Sequence, residues 1–179
     1  GVDHLIEIFA EGSTTADISA TVNLTAGMDY SAIAVGGANG WPLGLELLED
    51  DNTPPASGFV KVQIGHLAPF AALEADTVAD VRLQDGTVLL DDVPYGAIAG
   101  YEELAAGEYD LKITNADGTV TLIDPMPVTL NDGDIVSLFA VGDGANQALG
   151  VFAWPSDQVG SLLPLGYKLY LPSIFNGGP

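Results

Sequence analysis

"YSAIAVGGANGWPLGLEL", residues 30–47, reads as two apolar runs joined by a glycine-rich turn, and "VSLFAVGDGANQALGVFA", residues 136–153, reads the same way. Short runs of Val, Ile, Leu and Ala on either side of a Gly- and Asn-containing turn mark a β-hairpin. The likeness extends well beyond the hairpin. Shifting residues 5–44 forward by 106, without gaps, sets Leu5 on Leu111, Gly12 on Gly118, Val22 on Val128 and Leu24 on Leu130. It also sets Gly27 on Gly133, Ser31 on Ser137, Ala34-Val35-Gly36 on Ala140-Val141-Gly142, and Leu43-Gly44 on Leu149-Gly150. Glycines coincide at turns and apolar residues coincide inside strands, which is the signature of one backbone used twice.

Turn signals punctuate the rest of the chain: "AEGS", "TAGMD", "DDNTPP", "QDGT", "AAGE", "NADGT" and "NDGD". Between them lie runs of about five to eight residues, the spacing of an all-β sandwich or barrel. Alternation agrees: Tyr109, Leu111 and Ile113 share one face of "EYDLKITN", and Val60, Val62 and Ile64 share one face of "FVKVQIG". No amphipathic helix is legible, and Phe70 to Val78 allows one short turn at most. The expected fold is therefore all-β, built of Ig-like antiparallel β-sandwich modules. The second copy has a long run upstream, Gly58 to Glu108, that supplies about four further strands. The first copy begins at Gly1, so the reading expects a chain that starts mid-module, roughly 49 residues short of a whole repeat. The organisation expected is a partial module over 1–48, an acidic, proline-containing linker over 49–57, a complete module over 58–155, and a strand-like tail over 156–179.

Composition narrows the function classes. Among 179 residues, 25 are acidic and only Lys61, Arg82, Lys112 and Lys168 are basic, a net charge of -21. Such a surface repels phosphate backbones and anionic lipid, which argues against nucleic-acid partners and membrane insertion. With no cysteine, disulfides, thiolate metal sites and thiol catalysis are excluded. No apolar run reaches the ~18 residues of a membrane-spanning helix. The opening "GVDH" carries neither an initiator Met nor a signal-like segment, so the chain reads as a processed or excised form of an exported protein.

"VKVQIGHLAP" (60–69), "ADVRLQDG" (79–86), "VPYGAIAGYEELAAGEYDLKIT" (93–114) and "VTLNDGDIVSLFAVG" (128–142) follow one another in an order that resembles the DUF4397 family, a domain of unknown function. The resemblance covers Gly58 to about Trp154 in full, and Asp3 to about Leu48 as a second half-module. It implies a β-sandwich, often in tandem, in secreted bacterial and archaeal surface proteins, and hence an extracellular or cell-surface location. The family has no established catalytic residues, so none is carried over. Family members commonly have Ser before the Pro of "HLAP"; Ala68 stands there in this chain.

Candidate chemistry is sparse. His66 lacks a histidine or carboxylate neighbour of the kind that a general base or a metal site needs, and reads instead as closing its strand and satisfying the next turn. No Gly-x-Ser-x-Gly or Gly-x-Gly-x-x-Gly is present, so the expectation is no enzyme, with no catalytic and no cofactor residues. The acid clusters Glu49–Asn52, Asn131–Asp134 and Gly142–Asn146 offer oxygen ligands for Ca²⁺, but equally the chemistry of turns. Asn23-Leu24-Thr25 is a formal glycosylation sequon on a predicted strand. Of the aromatics, Tyr101 and Tyr109 alternate with polar residues and read as core. Trp41, Tyr95 and Tyr101 also offer rings for stacking on sugars, and Trp41, in a Gly-rich turn, reads as either an anchor on a neighbour or a partner contact.

Past Trp154 the chain continues into "LPLGYKLYLPSIFNGGP", a strand-like piece in which Tyr167, Leu169, Leu171 and Phe175 would share one face and Pro172 points to an edge position. An exposed strand of this kind needs a partner. The expectation is a non-enzymatic extracellular structural protein that self-associates into filaments or arrays by strand complementation. Tyr167, Leu169, Tyr170, Leu171, Ile174 and Phe175 would form the assembly strand. The alternative is an adhesive module that binds glycan or Ca²⁺.

Overall fold

The computed structural model describes residues 1–155 and 161–163. Strands β1 (Val2–Ile8) and β2 (Ile18–Leu24) pair antiparallel, with Val2 opposite Leu24 and Ile8 opposite Ile18. Strands β3 (Asp29–Val35) and β4 (Gly44–Asp50) form a second hairpin, with Asp29 opposite Asp50 and Val35 opposite Gly44. Then come β5 (Phe59–His66), β6 (Ala79–Leu83), β7 (Val88–Val93), β8 (Glu102–Ala105), β9 (Gly107–Tyr109) and β10 (Leu111–Asn115). The described chain closes with β11 (Thr121–Ile123), β12 (Val128–Leu130), β13 (Ile135–Val141), β14 (Gly150–Pro155) and β15 (Ser161–Leu162). One 3-10 turn, Glu74–Asp76, interrupts them, within the stretch where the sequence allowed a single turn.

Two layers make the sandwich. One is a five-stranded sheet in the order β15-β14-β13-β5-β8; the other is four-stranded, β11-β10-β6-β7, with a short β12-β9 pair beside them. Alternation decides what lies between the layers. Val60, Val62, Val136, Leu138, Ala140, Val151 and Ala153 come from one face of the five-stranded sheet and are buried, with Ile64, Tyr109 and Ile113 packed against them. Each Val, Leu or Ile among them removed from water is worth about 1.5–3 kcal/mol before the entropy of ordering it. Alternation cannot show strand direction, however. β5 runs parallel to β13, Lys61 opposite Ile135 through His66 opposite Ala140, inside an otherwise antiparallel set.

The repeat is present in the backbone. Val35 opposite Gly44 recurs as Val141 opposite Gly150, and Tyr30 opposite Glu49 recurs as Val136 opposite Pro155. Gly36 and Gly142 take φ of +80° and +94°. A Cβ on either would fall 2.0 Å from the Pro42 carbonyl oxygen or 2.2 Å from that of Ala148, so both hairpin turns exclude a side chain for the same reason. The copies differ in their neighbours. β13 lies between β14 and β5, whereas β3 pairs with β4 alone among the described residues.

One face of the β3–β4 hairpin covers the outer face of the five-stranded sheet. There Ile33, Val35 and Leu48 meet Leu67, Ile98, Phe139, Val141 and Phe152 in a second apolar cluster. The opposite face carries Ala32 and Ala34, both exposed, where the second copy has the buried Leu138 and Ala140.

Candidate functional site

His66, the last residue of β5, is 4% exposed. Its Nε2 lies 2.7 Å from the Thr77 carbonyl oxygen, and the Ala68 N–H points at Nδ1 over 3.4 Å. A carbonyl can only accept, so Nε2 carries the proton, the ring is neutral, and both nitrogens are engaged by backbone. Burial holds its pKa below the ordinary 6.5, partly opposed by the Thr77 bond. Phe70 stacks on the ring at 5.5 Å and Tyr95 meets it edge-on at 6.2 Å. The ring closes β5 and engages the turn that follows through Ala68, as the sequence implied, and also reaches the loop before β6 through Thr77.

The three acid clusters hold turns. Ser31 Oγ donates to Asp50, Lys61 Nζ to Asp51, and Asn52 Nδ2 to Asp29, each over 2.8–2.9 Å. Asp132 accepts the Gly58 N–H at 2.6 Å and Asp134 accepts the Asn131 N–H at 2.7 Å. Asp143 accepts N–H groups from Ala145, Asn146 and Gln147, the last of which leads in holding its carboxyl well below the usual range. A fourth group escaped sequence reading. Carboxylate oxygens of Asp80, Asp91 and Asp92 lie within 4.8 Å of one another. Asp80, fully buried, already accepts the Arg82 guanidinium and the Asp92 N–H, so its two oxygens are engaged within the fold. Asp80 and Arg82 alternate on β6 like any polar pair, and only the tertiary structure shows that Asp80 is buried and Arg82 partly so.

The aromatics divide. Trp41 Nε1 donates to the Ala71 carbonyl over 2.8 Å, and its ring lies 4.5 Å from that of Tyr95. Beside it Asn39, at φ +50°, donates through Nδ2 to the carbonyls of Pro69 and Asp143. Trp41 is thus an anchor of the first repeat on the second, and Tyr95 is its partner in that contact. Tyr101 and Tyr109 are half-buried, with hydroxyls on Ser137 Oγ at 3.1 Å and on the Ala105 carbonyl at 2.6 Å.

The remaining feature is the side of β3 away from β4. Lys61 N–H bonds to the Asp134 carbonyl and Leu67 N–H to that of Ala140, so even-numbered residues of β13 face β5. By the 106-residue correspondence, the backbone groups of Tyr30, Ala32 and Ala34 face the equivalent side of β3. Ala34 also lines an open groove of about 370 Å³, with Ile33, Val35, Leu67, Phe152 and Leu162. Tyr167, Leu169, Tyr170, Leu171, Ile174 and Phe175 lie outside the described residues.

Among the described residues, no helix is long and apolar enough to cross a membrane. No curated protein matches the chain. The C-terminal domain of AlgF from P. aeruginosa is similar at 22% identity, over 56% of this chain and 99% of that domain, with a TM-score of 0.38. The family profile of DUF4397, a domain of unknown function, matches residues 2–76 and again residues 71–159. The matches meet in the loop that His66 secures, and each contains one of the hairpins built around Gly36 and Gly142. With its repeat visible in both sequence and backbone, this chain belongs to the DUF4397 family.

Proposed function

We propose that this protein is a non-enzymatic structural component of an extracellular surface, whose copies self-associate into filaments or arrays by adding a strand beside β3. The observation that carries the reading is the contrast between the repeats: β13 has β5 on one side, and β3 has no strand there among the described residues. An unpaired row of N–H and C=O groups is a template for a further strand. The added strand and the edge that receives it are different surfaces, so the contact repeats head to tail and stays open unless it closes into a ring. The engagement of His66 by backbone on both nitrogens favours a structural role over catalysis.

Sedimentation velocity over a concentration series tests this. Wild type is expected to assemble, with salt to screen the repulsion of 25 acidic residues against four basic ones. Ala32→Pro removes an outward N–H without touching the bonds to β4 and is expected to leave monomers of nearly unchanged melting temperature. Wild-type protein that stays monomeric at every concentration and salt would sink the reading.

A further inference from the structure

We infer that Asn23 is a glycan attachment site, its Nδ2 receiving an oligosaccharide transferred from a lipid-linked donor; this rests on the extracellular reading above. The chain has seven asparagines, and Asn23-Leu24-Thr25 is the one place where Ser or Thr stands two residues after one of them. The motif carries weight only where the asparagine is within reach, and the structure provides that reach.

Asn23 and Thr25 are exposed, and Leu24 between them is half-buried. The pattern is the alternation of β2, in which Ile18, Ala20, Val22 and Leu24 turn to one face and Asn23 to the other. The strand ends at Leu24, and Thr25 opens a turn whose carbonyl accepts the Met28 N–H over 3.3 Å. The second repeat shows that this facing belongs to the module itself. Its matching residues are Thr129, Leu130 and Asn131, of which the first and last are exposed and Leu130 is buried in the core. Both layers of the sandwich are in place there, so the position looks outward in a module with both its sheets. A sugar on Asn23 therefore meets solvent and leaves the apolar face of β2 untouched.

Nor does the fold require asparagine at this point. Asn23 Nδ2 donates to Asp3 Oδ1 over 2.7 Å, an exposed pair of side chains that water can replace at little cost. The second repeat sets Thr129 opposite Glu108 in the same place. The transfer itself balances simply. Nδ2 attacks C1 of an oligosaccharide carried on a polyprenyl phosphate or diphosphate, and a C1–N bond forms. The C1–O bond breaks, its electron pair leaves with the lipid phosphate, and Nδ2 gives up one proton to a base of the transferase. Nothing is oxidised or reduced. In the folded chain β2 is held in a ladder with β1 from Val2 opposite Leu24 to Ile8 opposite Ile18, which keeps its backbone out of an enzyme's cleft. Transfer therefore belongs to the stage of export before β2 pairs.

Peptide mass spectrometry tests this on full-length protein recovered from the cells that make it, with fragmentation that keeps sugars on their residue. The peptide spanning Asn23 is expected to carry sugar mass on that residue in most molecules. Thr25→Ala, made in the same cells, is expected to abolish the sugar, and Thr25→Ser to retain it. The hydrogen bonds of Thr25 to Tyr30 and Met28 are made by its backbone, so loss of sugar in Thr25→Ala reads the motif and not the fold. Protease added to intact cells locates the protein in parallel. A bare Asn23 in protein that the protease reaches overturns the inference and leaves the extracellular reading standing. Protein that is cut only after the cells are opened removes both. Sugar that persists on Asn23 in Thr25→Ala overturns the assignment to this motif.

Discussion

His66 sits between two backbone groups that make complementary demands on its ring: the Thr77 carbonyl needs a donor at Nε2, and the Ala68 N–H needs an acceptor at Nδ1. Only the neutral ring meets both, and burial favours the same form. The sign of the pH dependence follows. With the folded pKa below 6.5, the unfolded chain takes up the proton first as pH falls. Stability from this residue is complete above pH 6.5 and is lost below it, until the folded value is reached. The slope is at most about 1.4 kcal/mol per pH unit, or about 4 °C in melting temperature for a chain of this size. Asp51, drawn down to about 2 chiefly by the Thr53 hydroxyl and then by Lys61, acts lower on the scale. Its stabilisation is present above 3.8 and disappears as pH falls toward about 2. Melting between pH 7.5 and 5 therefore isolates the histidine. Wild type should lose stability below pH 6.5, and His66→Gln, which keeps polar atoms but does not titrate, should flatten the profile. Equal slopes for the two proteins would show that His66 is not the source.

The β3–β4 and β13–β14 hairpins carry the same steric requirement at Gly36 and Gly142, so Ala should be rejected equally at both. Left-handed backbone costs a non-glycine residue about 1–2 kcal/mol, and a Cβ 2.0–2.2 Å from a carbonyl oxygen adds displacement of the turn itself. We expect Gly36→Ala and Gly142→Ala each to cost about 3 kcal/mol or more in urea unfolding. Gly27→Ala, at φ +85° with nothing within 4 Å, should cost about 1 kcal/mol. If all three cost the same, close approach is not what fixes these turns. This much of the element was legible in the sequence, because a steric requirement for glycine leaves glycine at both places. That Trp41 could anchor the hairpin was legible, but what the hairpin docks on was not. Asn39 and Trp41 donate to the carbonyls of Pro69, Asp143 and Ala71, and a backbone carbonyl looks alike at every position of a sequence. The parallel run of β5 beside β13 was hidden likewise, since alternation fixes faces and leaves direction open. Trp41→Ala should loosen the hairpin by about 2 kcal/mol, read as faster amide exchange in β3 and β4 with β13 unchanged.

Over the whole molecule, repulsion dominates the electrostatics. The net charge is -21, and the three basic residues among the described ones are bonded within the fold. Lys61 is 6% exposed and bonds to Asp51 and Thr53; Arg82 pairs with the buried Asp80; Lys112 reaches the Gln84 carbonyl. These two ion pairs are the ones formed among the described residues, and one of the four partners, Asp51, is about half exposed. Salt therefore screens many repulsions between carboxylates and few attractions. The Debye length shortens from about 20 Å at 20 mM to about 3 Å at 1 M, less than the spacing of most surface charges. The melting temperature should rise by several degrees over that range in NaCl, and self-association should strengthen with it, because two copies of like charge must approach before a strand can be added. A fall with NaCl would mean that attractive pairs outweigh the repulsion. Calcium separates the diffuse effect from a bound ion. At equal ionic strength, screening predicts similar shifts for CaCl2 and NaCl. An excess rise that saturates at low calcium and disappears in Asp91→Asn/Asp92→Asn would place an ion beside Asp80. That variant leaves the Asp80–Arg82 pair and the Asp92 N–H in place, so losing the excess there cannot be ascribed to unfolding of β6.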